Sequence, residues 1–401
     1  MNCRMQPLSV VAKIDGGYAF KSEAFSDIGV PVIRISNINE GRVNLKETAR
    51  VPESFLKDFS AFRLNPCDIL IAMSGATTGK IGVVPSDINE PLLLNQRVGR
   101  FKILDHKKLD QSYLRFIAES NNFQTQIQLL AAGAAQSNIS GKQIESIQIP
   151  LPPLEVQKKI AAVLEKADAL RRKREEQIKR LDDLLQATFL DMFGDPVTNP
   201  KGWPEIALEK IADIKSGVTK GRILKGKVIS IPYMRVANVQ DGKICLDEIK
   251  EIQIQANELE KFALQYGDIL LTEGGDPDKL GRGAVWLSEI EPCIHQNHIF
   301  RVRPDESEVL PEFLSALIGS SRGKRYFFRS AKQTTGIASI NMTQLKNFPA
   351  LVPPLSKQKA FQNFIVRHQT TIKAFSKLEE ATTCLFNSLM QRAFKGELEL
   401  K

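Results

Sequence analysis

The chain has 401 residues, 42% hydrophobic and 25% charged, the balance of a soluble protein with apolar material for more than one core. No run reaches the roughly 18 to 20 apolar residues of a membrane helix, and MNCRMQPLSVVAKIDGG lacks the charged-then-apolar order of a signal peptide, so a cytoplasmic location is expected. A net charge of +9 and a pI near 9.2 favour a polyanionic partner.

In chain order, the first 150 or so residues carry short β-rich runs, VPVIRISNI, CDILIAM, KIGVV and QRVGRFKIL, then a helical stretch near SYLRFIAESNNFQTQIQLLAAG. After Pro152-Pro153 comes a segment, 154 to 193, with almost no Gly or Pro, which reads as one long helix with Pro153 in its first turn. GDPVTNPKGWP (194 to 204) is a connector. The pattern then repeats, ending in a second long helix over 355 to 394 that starts at Pro354.

The repeat is quantitative. Leu8, Ala12, Ile14 and Gly17 return as Leu208, Ala212, Ile214 and Gly217; PVIRISNINEG (31 to 41) returns as PYMRVANVQDG (232 to 242); Asp68-Ile69-Leu70 returns as Asp268-Ile269-Leu270. Gln96 matches Gln296, LPPLEVQKK (151 to 159) matches VPPLSKQKA (352 to 360), and Phe193 matches Phe394. An offset near 200 that hardly drifts means one duplicated unit, not a solenoid, and implies pseudo-two-fold symmetry. The expected division is a first head over 1–150, a first long helix over 151–194, a linker over 195–204, a second head over 205–351 and a second long helix over 352–401.

A seven-residue frame puts Ile160, Leu164, Ala167, Arg171, Arg174, Ile178, Leu181, Leu185, Thr188 and Met192 inward on the first helix, and Phe361, Ile365, His368, Ile372, Phe375, Glu379, Thr382, Phe386, Leu389 and Ala393 on the second. Each seam is incomplete alone and needs a partner. A two-fold axis perpendicular to the pair sets them antiparallel, with the heads at opposite ends of rods of roughly 60 Å, longer than one turn of DNA at about 34 Å. The expected fold class is α+β: two tandem heads of mixed α/β structure with an antiparallel, barrel-like sheet, each followed by a long helix, the two helices forming an antiparallel coiled coil.

The sequence carries no convincing sign of catalytic chemistry. GATTGKI (75 to 81) has three residues instead of four between its glycines and ends in Ile where a phosphate loop needs Ser or Thr. The Pro-Pro pairs lie between leucine or valine neighbours, unlike the Pro-Pro-Tyr/Phe signature of an amino-methyltransferase. No GxGxxG follows a strand, and His106, His295, His298 and His368 show no nucleophile-base spacing. Cys3, Cys67, Cys245, Cys293 and Cys384 lack CxxC spacing and read as reduced thiols; Cys293, His295 and His298 lie in a strand-like run with no fourth metal ligand nearby. No catalytic, cofactor-binding or metal-binding residue is expected in this chain.

Duplicated strand-rich heads, the helix starts LPPLEVQKKIAAVLEKAD and VPPLSKQKAFQNFIVRHQ, the helix end LLQATFLDMFGDP, and NQRVGRF (95 to 101) beside HQNHIFRV resemble DNA-specificity subunits of type I restriction-modification systems over essentially the whole chain. The resemblance implies that each head is a target recognition domain reading one half of a bipartite site in double-stranded DNA. The helices would set the spacer and dock two modification (methyltransferase) subunits, and restriction (translocase/nuclease) subunits join afterwards. It also implies that S-adenosylmethionine and the base-flipping pocket belong to the modification subunit, and ATP and Mg to the restriction subunit. The loop SGATTGKIG becomes EGGDPDKLGRG in the second half and NQRV becomes HQNH, so the two half-sites should differ.

Reading DNA needs Arg or Lys for guanine, Asn or Gln for adenine, and further basic or amide groups for phosphates. By type and location the candidates are Lys21, Ser22, Arg34, Asn37, Thr77, Thr78, Lys80, Gln96, Arg97, Gln136 and Asn138 in the first head, and Lys220, Arg222, Arg235, Asn238, Lys279, Arg282, Gln296, Asn297 and Thr335 in the second. Arg34, Asn37 and their repeats stay the same while the loops differ, so a shared turn explains them as well as a DNA contact does. Arg171 to Arg174 invite a nucleic-acid role, yet the first helix carries nine basic and eight acidic residues, which favours a solvated, charge-alternating face. Two rival readings remain at this point: a coiled-coil adaptor whose heads bind proteins, and an enzyme that acts on DNA unaided.

Overall fold

The computed structural model describes residues 4–39, 41–132, 138–224, 226–275, 281–334 and 337–398. The chain folds as two compact units, residues 1–175 with 377–401, and residues 176–376. Each unit therefore holds one head and a portion of both long helices, which run Leu154–Phe193 and Leu355–Lys395.

In the first head a six-stranded sheet has the spatial order Ala12–Gly16, Val98–Ile103, Ile69–Ala72, Ile81–Val83, Gly41–Val43, Ile38–Asn39, and a four-stranded sheet the order Ala49–Val51, Val30–Ile33, Leu92–Leu94, Arg63–Leu64. The run ILIA is apolar throughout because its strand is covered on both faces. Ile69 and Ile71 enter the core shared with the helices, while Leu70 and Ala72 enter the core facing the second sheet. Leu92 and Leu94 join Leu70 in that middle core, whereas Leu93 turns the other way, to Phe20, Val30 and Val32. The second head repeats the scheme: Ile269 and Leu271 face the helices, Leu270 the opposite core.

The expectation of an antiparallel, barrel-like sheet is corrected on two counts. Val30–Ile33 pairs parallel with Leu92–Leu94, Gly41–Val43 parallel with Ile81–Val83, and Val228–Met234 parallel with Ile294–His295. No sheet closes on itself among the described residues. At the edge strand Ala12–Gly16 the reason is visible: the outward Ile14 N–H donates to the Glu145 carboxylate at 2.8 Å, so the short helix Gly141–Glu145 stands where a barrel would need its next strand.

The repeated PPL-x-x-Q sequence has a mechanical explanation. Proline carbonyls accept the first helical bonds, Val156 and Gln157 N–H to Pro153, Lys357 and Gln358 N–H to Pro354. Gln157, fully buried, accepts from Asp110 N–H at 2.9 Å and donates to the carbonyls of Lys108 (2.7 Å) and Pro152 (2.8 Å). Gln358, equally buried, accepts from Leu310 N–H at 2.8 Å and donates to Glu308 (3.1 Å) and Pro353 (2.7 Å). One neutral amide thus satisfies a donor and two acceptors that burial would otherwise leave without partners.

Aromatic packing completes each anchor. In the first unit Ile160, Ala161 and Leu164 of the first long helix share a core with Phe386, Met390 and Ala393 of the second and with Tyr113 and Phe116 of the head. In the second unit Phe189 and Phe193 pack on Phe361 and on Phe313 of the head, at ring-centre distances of 4.6 to 5.9 Å. Farther along, the His368 ring pairs with the Leu181 carbonyl at 2.8 Å. As the second helix advances from 361 to 368 its neighbours on the first retreat from 193 to 181, so within this unit the two segments run in opposite directions. Phe189, Phe193 and Met390 lie outside the seven-residue frame and are nevertheless buried, since the helix ends bury one face on the other helix and another on a head.

Replacing Gln157 with Leu leaves the Asp110 N–H and two carbonyls unpaired and should cost about 2 to 4 kcal/mol. Gln157→Glu, which loses both donors, should not rescue it. Urea unfolding of the variants checks this.

Candidate nucleic-acid interface

Some of the loops that carry the sequence candidates meet at one backbone position in each head; the Lys21–Ser22 and Arg34–Asn37 segments and their second-head counterparts are not among those bonded there. In the first head, Met73 follows the strand Ile69–Ala72; its N–H donates to the Arg97 carbonyl at 2.9 Å and its carbonyl accepts from Ile139 N–H at 3.0 Å. Ser74 bridges to Asn138, and Gln96 N–H donates to the Tyr18 carbonyl at 2.9 Å. The 74–80 loop, the 95–97 loop, the segment at 138 and the Tyr18 segment therefore form one cluster. Gly17 is required there: a Cβ on it would lie 2.3 Å from the Asn95 carbonyl oxygen, and on Gly217 2.0 Å from that of His295.

The second head has the same frame with other side chains. Glu273 takes the place of Met73, its N–H donating to the His298 carbonyl at 3.0 Å and its carbonyl accepting from Ile340 N–H at 2.9 Å. Gln296 bridges to Val218 as Asn95 does to Tyr18. The backbone is constant and the chemistry on it varies.

In the first head Lys21, Ser22, Lys80, Gln96, Arg97 and Asn138 are exposed. Lys80 Nζ reaches Asn39 Oδ1 at 3.4 Å. Thr77 and Thr78 hydroxyls donate to the Ser74 (3.4 Å) and Gly75 (2.8 Å) carbonyls, shaping their own turn. That turn leads into the strand Ile81–Val83, not into the helix a phosphate loop needs. In the second head Lys220 is exposed and Gln296 and Asn297 half-buried. Arg222 makes two bonds to Glu258 (2.7 and 2.6 Å), Arg235 pairs with Glu248 at 3.1 Å, and Arg282 donates to Gln240 at 2.8 Å. Gln136, Lys279 and Thr335 lie outside the described residues.

Asn37 and Asn238 have a structural task. Each is buried; the side-chain oxygen accepts from the N–H of Arg34 or Arg235 at 3.0 Å, and the amide donates to the Asn44 or Cys245 carbonyl at 3.2 and 2.9 Å. Arg34 stacks over the Phe25 ring, 5.8 Å from its centre. The identical residues in the two heads fix an identical turn.

Arg171 and Arg172 do not lie on the solvated face expected of them. Asp168, buried, is bound by Arg115 at 2.5 Å and by Arg171 and Arg172 at 2.9 Å each. Burial alone would raise the Asp168 pKa, but hydrogen bonds from Arg115 and Arg172 hold it below the usual carboxylate range. Arg171 also lies over the Phe386 ring, 5.5 Å from its centre.

The Cys293, His295 and His298 cluster splits by environment. Cys293 is buried, and desolvation pushes its thiol up to about 12. His298 is exposed and pairs through Nδ1 with Glu273 Oε2 at 2.7 Å. His295 is 1% exposed, and burial, with the nearby Arg301 charge, pushes its pKa down to about 4. No group of three His, Cys, Asp or Glu side chains able to hold a metal occurs among the described residues. Sequence reasoning missed Met73, Glu273 and the Glu273–His298 pair, because a hub made of backbone bonds leaves no shared side chain to notice.

A family model for the type I restriction modification DNA specificity domain matches residues 5–180 and again 200–383. The chain belongs to this family of DNA specificity subunits. It is similar to the specificity subunit of type I restriction enzyme StySPI from Salmonella potsdam, 26% identical over 98% of this chain and 88% of that one, and to the EcoKI specificity subunit from Escherichia coli K12, 24% identical with the same coverage. The MjaVIII specificity subunit from Methanocaldococcus jannaschii is 35% identical over 43% of this chain and 42% of its own length. In fold it is similar to the S subunit of a type I restriction-modification system from M. genitalium, with a TM-score of 0.57, 15% identity, and coverage of 98% and 96%. No helix among the described residues is long and apolar enough to cross a membrane.

The His295 environment sets a pH prediction. The folded pKa of about 4 lies below the ordinary 6.5, so the unfolded chain binds more protons between these values. Stability contributed by neutral His295 is complete above pH 6.5 and is lost as pH falls toward 4, on the order of 3 kcal/mol. His295→Leu should flatten that part of the stability profile, measured by urea unfolding from pH 7 to 4.

Proposed function

We propose that this chain chooses where a type I restriction-modification complex acts, each head reading one half of a bipartite site in double-stranded DNA, without catalysing a reaction itself. The observation that carries the reading is the duplicated loop frame: the Met73 and Glu273 hubs hold the same backbone bonds while the side chains around them differ. That is the arrangement expected of two readers of different sequences on one scaffold. Family membership weighs against a protein-binding adaptor.

The finer reading follows from the same duplication. The two long helices form an antiparallel coiled coil that sets the spacer between half-sites and docks two modification subunits. S-adenosylmethionine and the base-flipping pocket reside on those subunits, ATP and Mg on the restriction subunits, and the assembly works in the cytoplasm. The opposed helix segments in the second unit and the anchoring of each head to both helices support this arrangement.

Exposed Lys21, Lys80, Arg97 and Lys220 supply positive charge for phosphates, so binding of the complex to duplex DNA should weaken steeply as salt rises. Exchanging residues 1–150 for the head of another family member should change one half of the recognised site and preserve the other. Mapping methylated bases in cells carrying the complete system checks this, and an unchanged site would overturn the reading.

A further inference from the structure

We infer that Glu273 and His298 are a specificity-determining pair of the second head, with the Glu273 carboxylate accepting from the exocyclic amino group of a cytosine or adenine in the major groove. The inference rests on the reading that the hub loops meet DNA. Neither residue belongs to the basic and amide set that residue type alone selects.

Geometry puts both side chains at the hub. Glu273 N–H donates to the His298 carbonyl, and the two side chains meet again through Oε2 and Nδ1 at 2.7 Å. Both are accessible, His298 at 57% and Glu273 at 34%. An exposed pair of this kind contributes little to stability, and the first head keeps the same backbone hub with Met73 facing the Arg97 position instead. The fold therefore does not require this pair.

A carboxylate on a surface that meets phosphates is repelled by them and finds no donor on the DNA backbone. The major-groove groups of a duplex that complement it are the base amino groups, cytosine N4 and adenine N6. His298 fixes the carboxylate orientation through Nδ1, and Nε2 lies 3.5 Å from Asn297 Nδ2, so an amide suited to adenine stands beside the pair. Acceptor, orienting ring and amide together form a reader distinct from whatever Arg97 contacts in the first head.

The test uses this chain assembled with the modification subunits of its system, selecting from a duplex library randomised across both half-sites. Glu273→Gln and His298→Ala should each reduce discrimination at one position of one half-site by about 10-fold, leave the other half-site intact, and melt like the parent. Arg97→Ala should alter the opposite half-site. An unchanged motif with both second-head variants, while Arg97→Ala still acts, overturns the pair and leaves the hub loops as DNA readers. An unchanged motif with all three overturns both.

Discussion

Two buried glutamine side chains hold this architecture together. Gln157 and Gln358 each join the first turn of a long helix to the loop that opens the preceding head helix, using every polar atom of a neutral amide. A charged residue there would need a buried counter-charge, and an apolar one would leave backbone groups without partners. With the lock in place, the phenylalanines at 189, 193, 361 and 386 need only fill space against a head already oriented. Long helices and heads are thereby coupled, which the proposed reading of spaced half-sites requires.

The second constraint acts in the heads. Two backbone bonds at Met73 or Glu273 gather three loops, and Gly17 or Gly217 lets the chain pass against them. Because the bonds are main-chain, nearly any side chain can occupy the hub without unmaking the fold. Asn37 and Asn238 do the converse: their amides are consumed by one turn, and they are the same in both heads. A constant backbone frame and variable side chains are thus separated residue by residue.

The long helices were legible in the sequence because 40 residues nearly free of Gly and Pro leave few other options, and the duplication because the offset barely drifts. The PPL-x-x-Q repeat was legible as a pattern but not as a lock, since Asp110 lies 47 residues before Gln157 in the chain. A closed sheet was the wrong expectation because a side chain, Glu145, takes the edge N–H of Ile14, a substitution that strand periodicity cannot register. Likewise, Arg171 and Arg172 read as solvated until Asp168 is seen buried among them with Arg115, which belongs to another helix. Arg97 was named by residue type and the structure shows it exposed; the Glu273–His298 pair proposed above was not named, its acidic member being absent from any list built on affinity for DNA.

Native-state hydrogen exchange at the Asp110 and Leu310 amides tests the glutamine lock most directly. If the lock holds each head to its helix, both amides should be protected as strongly as the central strands Ile69–Ala72 and Ile269–Thr272 and should open only with them. Fast exchange at either amide while those strands stay protected would show that head and helix part freely, contradicting the coupling on which the proposed reading of spaced half-sites depends.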